Sequence, residues 1–173
     1  MRTFISIEIP DEIRKEIVNI QTHLPEFYGK KTEFENLHLT FKFLGEIDER
    51  KIEKVKEKLG EIKFEKFDTE IDSIGVFSEK FIRIIWLHLK NCEELQKKID
   101  FVLEDLFKSE KRFMSHLTIA RVKKVDDKKL FLERLNQIKV PDLKFKVDSF
   151  YLMESKLSDK GPKYLVIKKY NLF

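Results

Sequence analysis

The sequence holds a single cysteine, Cys92. One sulfur can form no intrachain disulfide and no thiolate metal cage. Glycine and proline are sparse, at 5 and 4 residues, which excludes a collagen-like or linker-rich chain. No apolar run approaches the ~20 residues that cross a bilayer. The opening segment, Met1 to Ile13, meets Glu8 too early for a secretory hydrophobic region. With the lone thiol, these absences lead to the expectation of a cytoplasmic protein with no membrane contact. A dominant charge sign is lacking too: 35 basic and 31 acidic residues leave +4. That is too mild for coating long nucleic acid, yet it permits a local anion-binding cleft. No Gly-rich phosphate loop or Walker pattern occurs, so nucleoside-triphosphate chemistry of that kind finds no support. Histidine and carboxylate spacing gives no metal motif, and no metal or cofactor is expected.

What is present suits a globular protein with a heavily charged surface: 42% hydrophobic and 38% charged residues, with 16 Phe for core building. A length of 173 residues allows one domain or two small lobes sharing a cleft. Strand-like and helix-like segments alternate. Residues 2–9 read as a strand, and Pro10-Asp11 starts a helix with Ile13, Ile17 and Ile20 on one side. Residues 37–44 read as a strand ending at Gly45. Asp48 then caps a helix carrying Ile52, Val55 and Leu59. Residues 66–77 read as a strand. The same order returns: a strand over 82–89, a helix over about 92–107, a strand over 116–122, and a helix opened by Asp126-Asp127 with Leu130, Leu135 and Ile138. Strands over 144–155 and 163–170 complete the chain, with Gly161-Pro162 breaking the last hairpin.

This recurrence is an internal duplication. His38-Leu39-Thr40 aligns with His116-Leu117-Thr118, and the same offset pairs Asp48 with Asp126 and Lys51 with Lys129. The earlier helices align at a slightly larger offset, Asp11-Glu12-Ile13 against Glu93-Glu94-Leu95. The expectation is one bilobal domain over 1–173, with repeats of approximately 1–78 and 79–173 and pseudo-twofold symmetry.

The repeated histidine carries the chemistry. In a strand, residues i and i+2 share a face, so His38 points with Thr40 and His116 with Thr118. Two facing imidazoles suit in-line displacement at phosphorus, where the attacking and leaving oxygens occupy opposite apical positions. Histidine reaches both protonation states near neutrality, and threonine hydroxyls can donate to nonbridging phosphate oxygens. A single His-x-Thr carries no weight. Two identical copies in matching places of a repeat whose surface positions have diverged carry much more.

His38-Leu39-Thr40-Phe41 and His116-Leu117-Thr118-Ile119 resemble the paired HxTx motifs of the 2H phosphoesterase superfamily. With RTFISIEIPDEI, HLTFKFLGE and HLTIARVK, the chain is similar over essentially its whole length to the RNA 2′,3′-cyclic phosphodiesterase branch, also called the 2′-5′ RNA ligase family. The resemblance implies an α+β fold with two antiparallel sheets lining a central cleft and helices outside. It implies metal-free hydrolysis of RNA 2′,3′-cyclic phosphate ends to 2′-phosphates, with His38 as proton donor and His116 as proton acceptor. From the sequence alone the symmetric halves leave the two roles interchangeable. ATP-independent 2′-5′ joining in the same site, and RNA-end binding without turnover, are the competing readings. The implied partner is RNA with a cyclic phosphate end, tRNA halves among the candidates, bound by a monomer.

By the family pattern Phe43 would lie near base or ribose and Arg121 would contact phosphate. Strict alternation puts both on the apolar face. Phe43 then reads equally as a core residue, whereas Arg121 needs a bulge or strand end to escape burial. Lys42 reads as a solvated lysine, Trp86 as core, and His23 and His88 as non-catalytic.

Overall fold

The computed structural model describes all 173 residues. The elements are β1 (Arg2–Glu8), α1 (Asp11–Thr22), β2 (Tyr28–Lys31), β3 (His38–Glu46), α2 (Glu49–Gly60), β4 (Phe67–Val76), β5 (Ile84–Leu89), α3 (Glu93–Val102), β6 (His116–Lys124), α4 (Lys128–Asn136), β7 (Leu143–Val147), β8 (Ser149–Ser158) and β9 (Gly161–Asn171). Each helix forms for a local reason. Ile13, Ile17 and Ile20 give α1 a buried stripe. The Asp48 side chain accepts from the Lys51 amide at the start of α2, and Asp127 accepts from Leu130 at the start of α4. In α4 the buried side chains are Phe131 and Leu135, while Leu130 faces out. Helix α3 is shorter than its periodicity predicts. It stops at Val102, and Leu106 and Phe107 reach the core from a turn whose amides donate to the Leu103 carbonyl.

The architecture is α+β, and every strand pairing is antiparallel. The strands run β7-β4-β5-β6-β3-β1-β8-β9, with β2 added to β6. The two sheets of the expected cleft are therefore halves of one curled sheet. They join at a seam where a single ladder pair, Leu39 with Leu117, links β3 to β6. Beyond the seam β3 and β6 diverge, and β2, absent from the sequence reading, occupies the β6 edge from Ala120 to Lys124. Strand β4, from the first half of the sequence, pairs with β5 and β7, while β8, from the second half, pairs with β1. Each half thus completes the other's sheet. One cluster of 36 buried hydrophobic residues fills the space between the sheet and the helices.

Strands β3 and β6 share one burial pattern, position for position. In β3, Ile5 and Ser6 of β1 pair with Lys42 and Thr40, leaving Phe41 as an extra residue. In β6, Ile85 and Trp86 of β5 pair with Ala120 and Thr118, leaving Ile119 as an extra residue. These matching bulges reverse the inward–outward phase. Phe43 consequently projects from the histidine face at 69% exposure and is not a core phenylalanine. Lys42 goes the other way. It is buried, not solvated, and its Nζ lies 2.6 Å from both Asp100 Oδ1 and the Lys108 carbonyl.

Candidate active site

His38 and His116 begin β3 and β6, directly beside the seam. Leu39 and Leu117 are fully buried beneath it. By that antiparallel register, Thr118 lies across from His38 and Thr40 across from His116. A cleft of about 440 Å³ is lined by all six residues singled out in the sequence: His38, Thr40, Phe43, His116, Thr118 and Arg121.

Backbone carbonyls fix both imidazoles. His38 Nδ1 lies 2.7 Å from the Asn36 carbonyl, and His116 Nδ1 lies 2.9 Å from the Met114 carbonyl. A carbonyl only accepts, so each neutral ring carries its proton on Nδ1 and presents a lone pair at Nε2. In each half the carbonyl comes from the residue two places before the histidine. At His38 the Thr40 hydroxyl donates to Nε2 at 2.9 Å. The Thr118 carbonyl accepts from the Thr32 hydroxyl at 3.0 Å, which ties the segment after β2 to β6.

The two rings have different surroundings. Phe4 and Tyr164 flank His38, with ring centroids at 5.1 and 4.9 Å. Burial, and then the charges of Arg14 and Arg121, push the His38 imidazolium down to about pKa 4, against the opposing pull of the Asn36 carbonyl. Burial likewise raises the Tyr164 phenol. His116 meets Phe77 edge-on at 4.9 Å. Trp86 is not in the core. It sits half-buried on the cleft face, paired with Thr118 and against Phe77, because alternation along β5 buries Ile85 and Leu87 instead.

The bulge at Ile119 brings Arg121 to the cleft, where it faces solvent. Arg2, Lys30 and Lys31 extend the positive rim, with Lys30 paired to Glu33. The donor set is two imidazoles, two hydroxyls and a guanidinium. Nowhere in the fold do three His, Cys, Asp or Glu side chains gather as a metal-binding group. His88 lies outside the cleft with Nδ1 2.7 Å from Asp72, and His23 contacts the Asn19 carbonyl on the surface. Sequence reasoning missed Phe4, Phe77 and Tyr164. Phe4 could have been found from the face that it shares with Ser6 on β1. Tyr164 reaches the site through the last hairpin and leaves no local signal.

A family model described as LigT like Phosphoesterase matches residues 7–86 and 89–164. The chain is 39% identical over 176 residues to the RNA 2′,3′-cyclic phosphodiesterase of Methanocaldococcus jannaschii, spanning 98% of this chain and 100% of that protein. The protein of the same description from Thermotoga maritima is 34% identical, spanning 96% of this chain and 93% of its own length. Among solved structures, TT0787 of Thermus thermophilus matches with a TM-score of 0.81 at 27% identity, covering 99% of this chain and 97% of that one. Escherichia coli LigT complexed with 3′-AMP shares the fold, with a TM-score of 0.80 at 24% identity over 99% of this chain and 97% of that one.

Proposed function

The chain belongs to the LigT-like phosphoesterase family, and on that footing we propose that it opens 2′,3′-cyclic phosphate ends of RNA to 2′-phosphomonoesters by transferring protons between His38 and His116. The observation that carries this reading is the pair of Nδ1-protonated imidazoles in one cleft, each with a threonine hydroxyl on the same strand face, that of Thr40 already hydrogen-bonded to Nε2 of His38.

Water attacks phosphorus opposite the 3′ oxygen. Its proton goes to Nε2 of His116, the P–O3′ bond breaks, and the departing oxygen takes a proton from Nε2 of His38. In the free protein His38 is neutral at pH 7. The substrate phosphate is a monoanion, and an opposite charge beside the ring favours imidazolium, so binding itself loads the donor. Thr40 can then turn its hydroxyl from Nε2 to a nonbridging oxygen. Thr118 and Arg121 hold the rest of the charge that builds during displacement. All of these groups come from one chain, which supports a monomer. The lone, buried Cys92 is compatible with the cytoplasmic setting that we propose, and tRNA halves are candidate substrates.

The test is turnover of an oligonucleotide ending in a 2′,3′-cyclic phosphate, in the presence of EDTA, with the product phosphate located. A 2′-phosphate is expected. A 3′-phosphate, no turnover, or turnover abolished by EDTA would overturn the proposal.

A further inference from the structure

The two imidazoles are not held alike. His38 is fixed at both nitrogens, by the Asn36 carbonyl and the Thr40 hydroxyl, whereas the Met114 carbonyl makes the one hydrogen bond to the His116 ring. The tautomer of His116 therefore depends on where the segment 103–115 places that carbonyl. The segment ends on β6, where the Ser115 carbonyl accepts from the Leu89 amide at 3.1 Å. Its middle is tied to the opposite half. Lys42 Nζ donates to the Lys108 carbonyl and to Asp100 of α3, both at 2.6 Å, and the second oxygen of Asp100 accepts from the Glu110 amide at 2.8 Å. Phe113 stacks on Phe41, the extra residue of the β3 bulge, with ring centroids 6.3 Å apart. Lys42 follows that bulge and lies two residues from Thr40. One side chain thus joins the strand of His38 to the segment that orients His116.

A matching tie crosses the other way. Gln21, buried in α1, donates to the Thr32 carbonyl at 2.9 Å and, at 2.8 Å, to the carbonyl of Ile119, the extra residue of the β6 bulge. Packing alone does not call for an ion pair here, because two apolar side chains of similar volume fill such a site at least as well. What apolar side chains cannot do is hold two backbone groups at fixed points by charge-assisted hydrogen bonds. Resting on the two-histidine reading above, we infer that Lys42 and Asp100 are positioning residues for His116. Through Lys108 and Glu110 they set the Met114 carbonyl. That carbonyl keeps the ring proton on Nδ1 and leaves the Nε2 lone pair to accept the proton of water. If the carbonyl retreats, the proton can move to Nε2 and the acceptor is lost.

The test uses Lys42→Met/Asp100→Asn, in which no charge is stranded, beside Gln21→Leu, which loosens the other tie. Histidine ring-nitrogen NMR shifts at alkaline pH, assigned with His38→Ala and His116→Ala, report the tautomer of each ring. Turnover of the cyclic-phosphate oligonucleotide is measured well below the Tm of each variant. The double variant should populate the Nε2-protonated form of His116 and leave His38 as in wild type. Its kcat should fall by about tenfold to a hundredfold, with KM within about twofold. Gln21→Leu should keep the wild-type tautomer of His116. If the double variant does not fold, Asp100→Asn alone carries the same expectation at smaller size. A His116 tautomer or a kcat equal to wild type, whatever the Tm, would overturn the inference. So would the same His116 change in Gln21→Leu, which would mean general loosening. Wild-type failure on the cyclic phosphate would sink the hydrolysis reading, while the nitrogen shifts would still decide whether the pair sets the ring.

Discussion

Nε2 of His38 and Oγ1 of Thr40 lie 2.9 Å apart, two residues along one strand, while Nδ1 of the same ring is held by the Asn36 carbonyl. The ring is therefore fixed at both nitrogens, and its reactive edge already faces a hydroxyl. Removing either imidazole should cost far more than removing the hydroxyl. His38→Ala and His116→Ala are each expected to lower kcat by at least about 10²–10⁴-fold, and Thr40→Val by about tenfold. The double histidine variant should be little worse than either single one, because the proposed mechanism uses the two as a unit. Single-turnover kinetics on the cyclic-phosphate oligonucleotide, with circular dichroism to establish folding, provide the check. Additive losses would argue against a coupled pair.

The depressed His38 pKa of about 4 sets a sign for stability against pH. Above about pH 6.5 the ring is neutral in both folded and unfolded chains. As pH falls through 6.5 the unfolded chain takes up the proton first, so stability declines until about pH 4, where the folded ring protonates too. The loss attributable to this ring is at most about 3 kcal/mol. Urea unfolding at pH 7 and pH 4 should show a smaller difference in His38→Asn than in wild type. An equal difference in the two proteins would remove His38 as the cause.

The same shift predicts a separation between two rate profiles. In the proposed mechanism, the limb that descends with rising pH marks loss of the proton that His38 donates. Bound phosphate monoanion raises the His38 pKa, so this limb should lie at higher pH for kcat, which reports the complex, than for kcat/KM, which reports the free enzyme. Coincident limbs would contradict loading of the donor by substrate.

Lys42 and Asp100 form a buried pair, closed further by Gln96 and by the Glu110 amide, both of which donate to Asp100. Lys42→Met removes one charge and strands the other, at a cost of about 3 kcal/mol or more. Adding Asp100→Asn should recover part of that loss. Urea unfolding of the two variants measures it. A neutral Lys42→Met would mean that the pair contributes nothing.

Gly29 lies so close to β6 that an added Cβ would stand 2.1 Å from the Arg121 carbonyl oxygen. Gly29→Ala must push β2 away and move the strand segment that aims Arg121 at the cleft. We expect a lower Tm together with a raised KM for the cyclic-phosphate oligonucleotide. Arg121→Ala should raise KM with little change in Tm. An unaltered KM in both variants would take Arg121 out of phosphate binding.

Local periodicity made most of the elements readable. The buried stripe of α1, the caps Asp48 and Asp127, and the strands holding both His-x-Thr motifs all follow from residues within one or two turns of each other. Arg121 was legible by a different route: a guanidinium assigned to an apolar face demanded a break in alternation, and the bulge at Ile119 is that break. The same reasoning was available for Lys42, but alternation without a bulge already gave it a solvated face. Its burial beside Asp100 depends on a residue 58 positions away.

The amino-acid sequence alone determined most element types and the two histidine–threonine couples, because these rest on short-range patterns, and the His-Leu-Thr pattern is written twice along the chain. Tertiary pairing alone decided that β4 and β8 change sides, that Tyr164 and Phe77 close on different imidazoles, and that Phe41 and Ile119 are the extra residues of the bulges. Strand register and phase are properties of two chains of residues side by side, and no single stretch of sequence contains both.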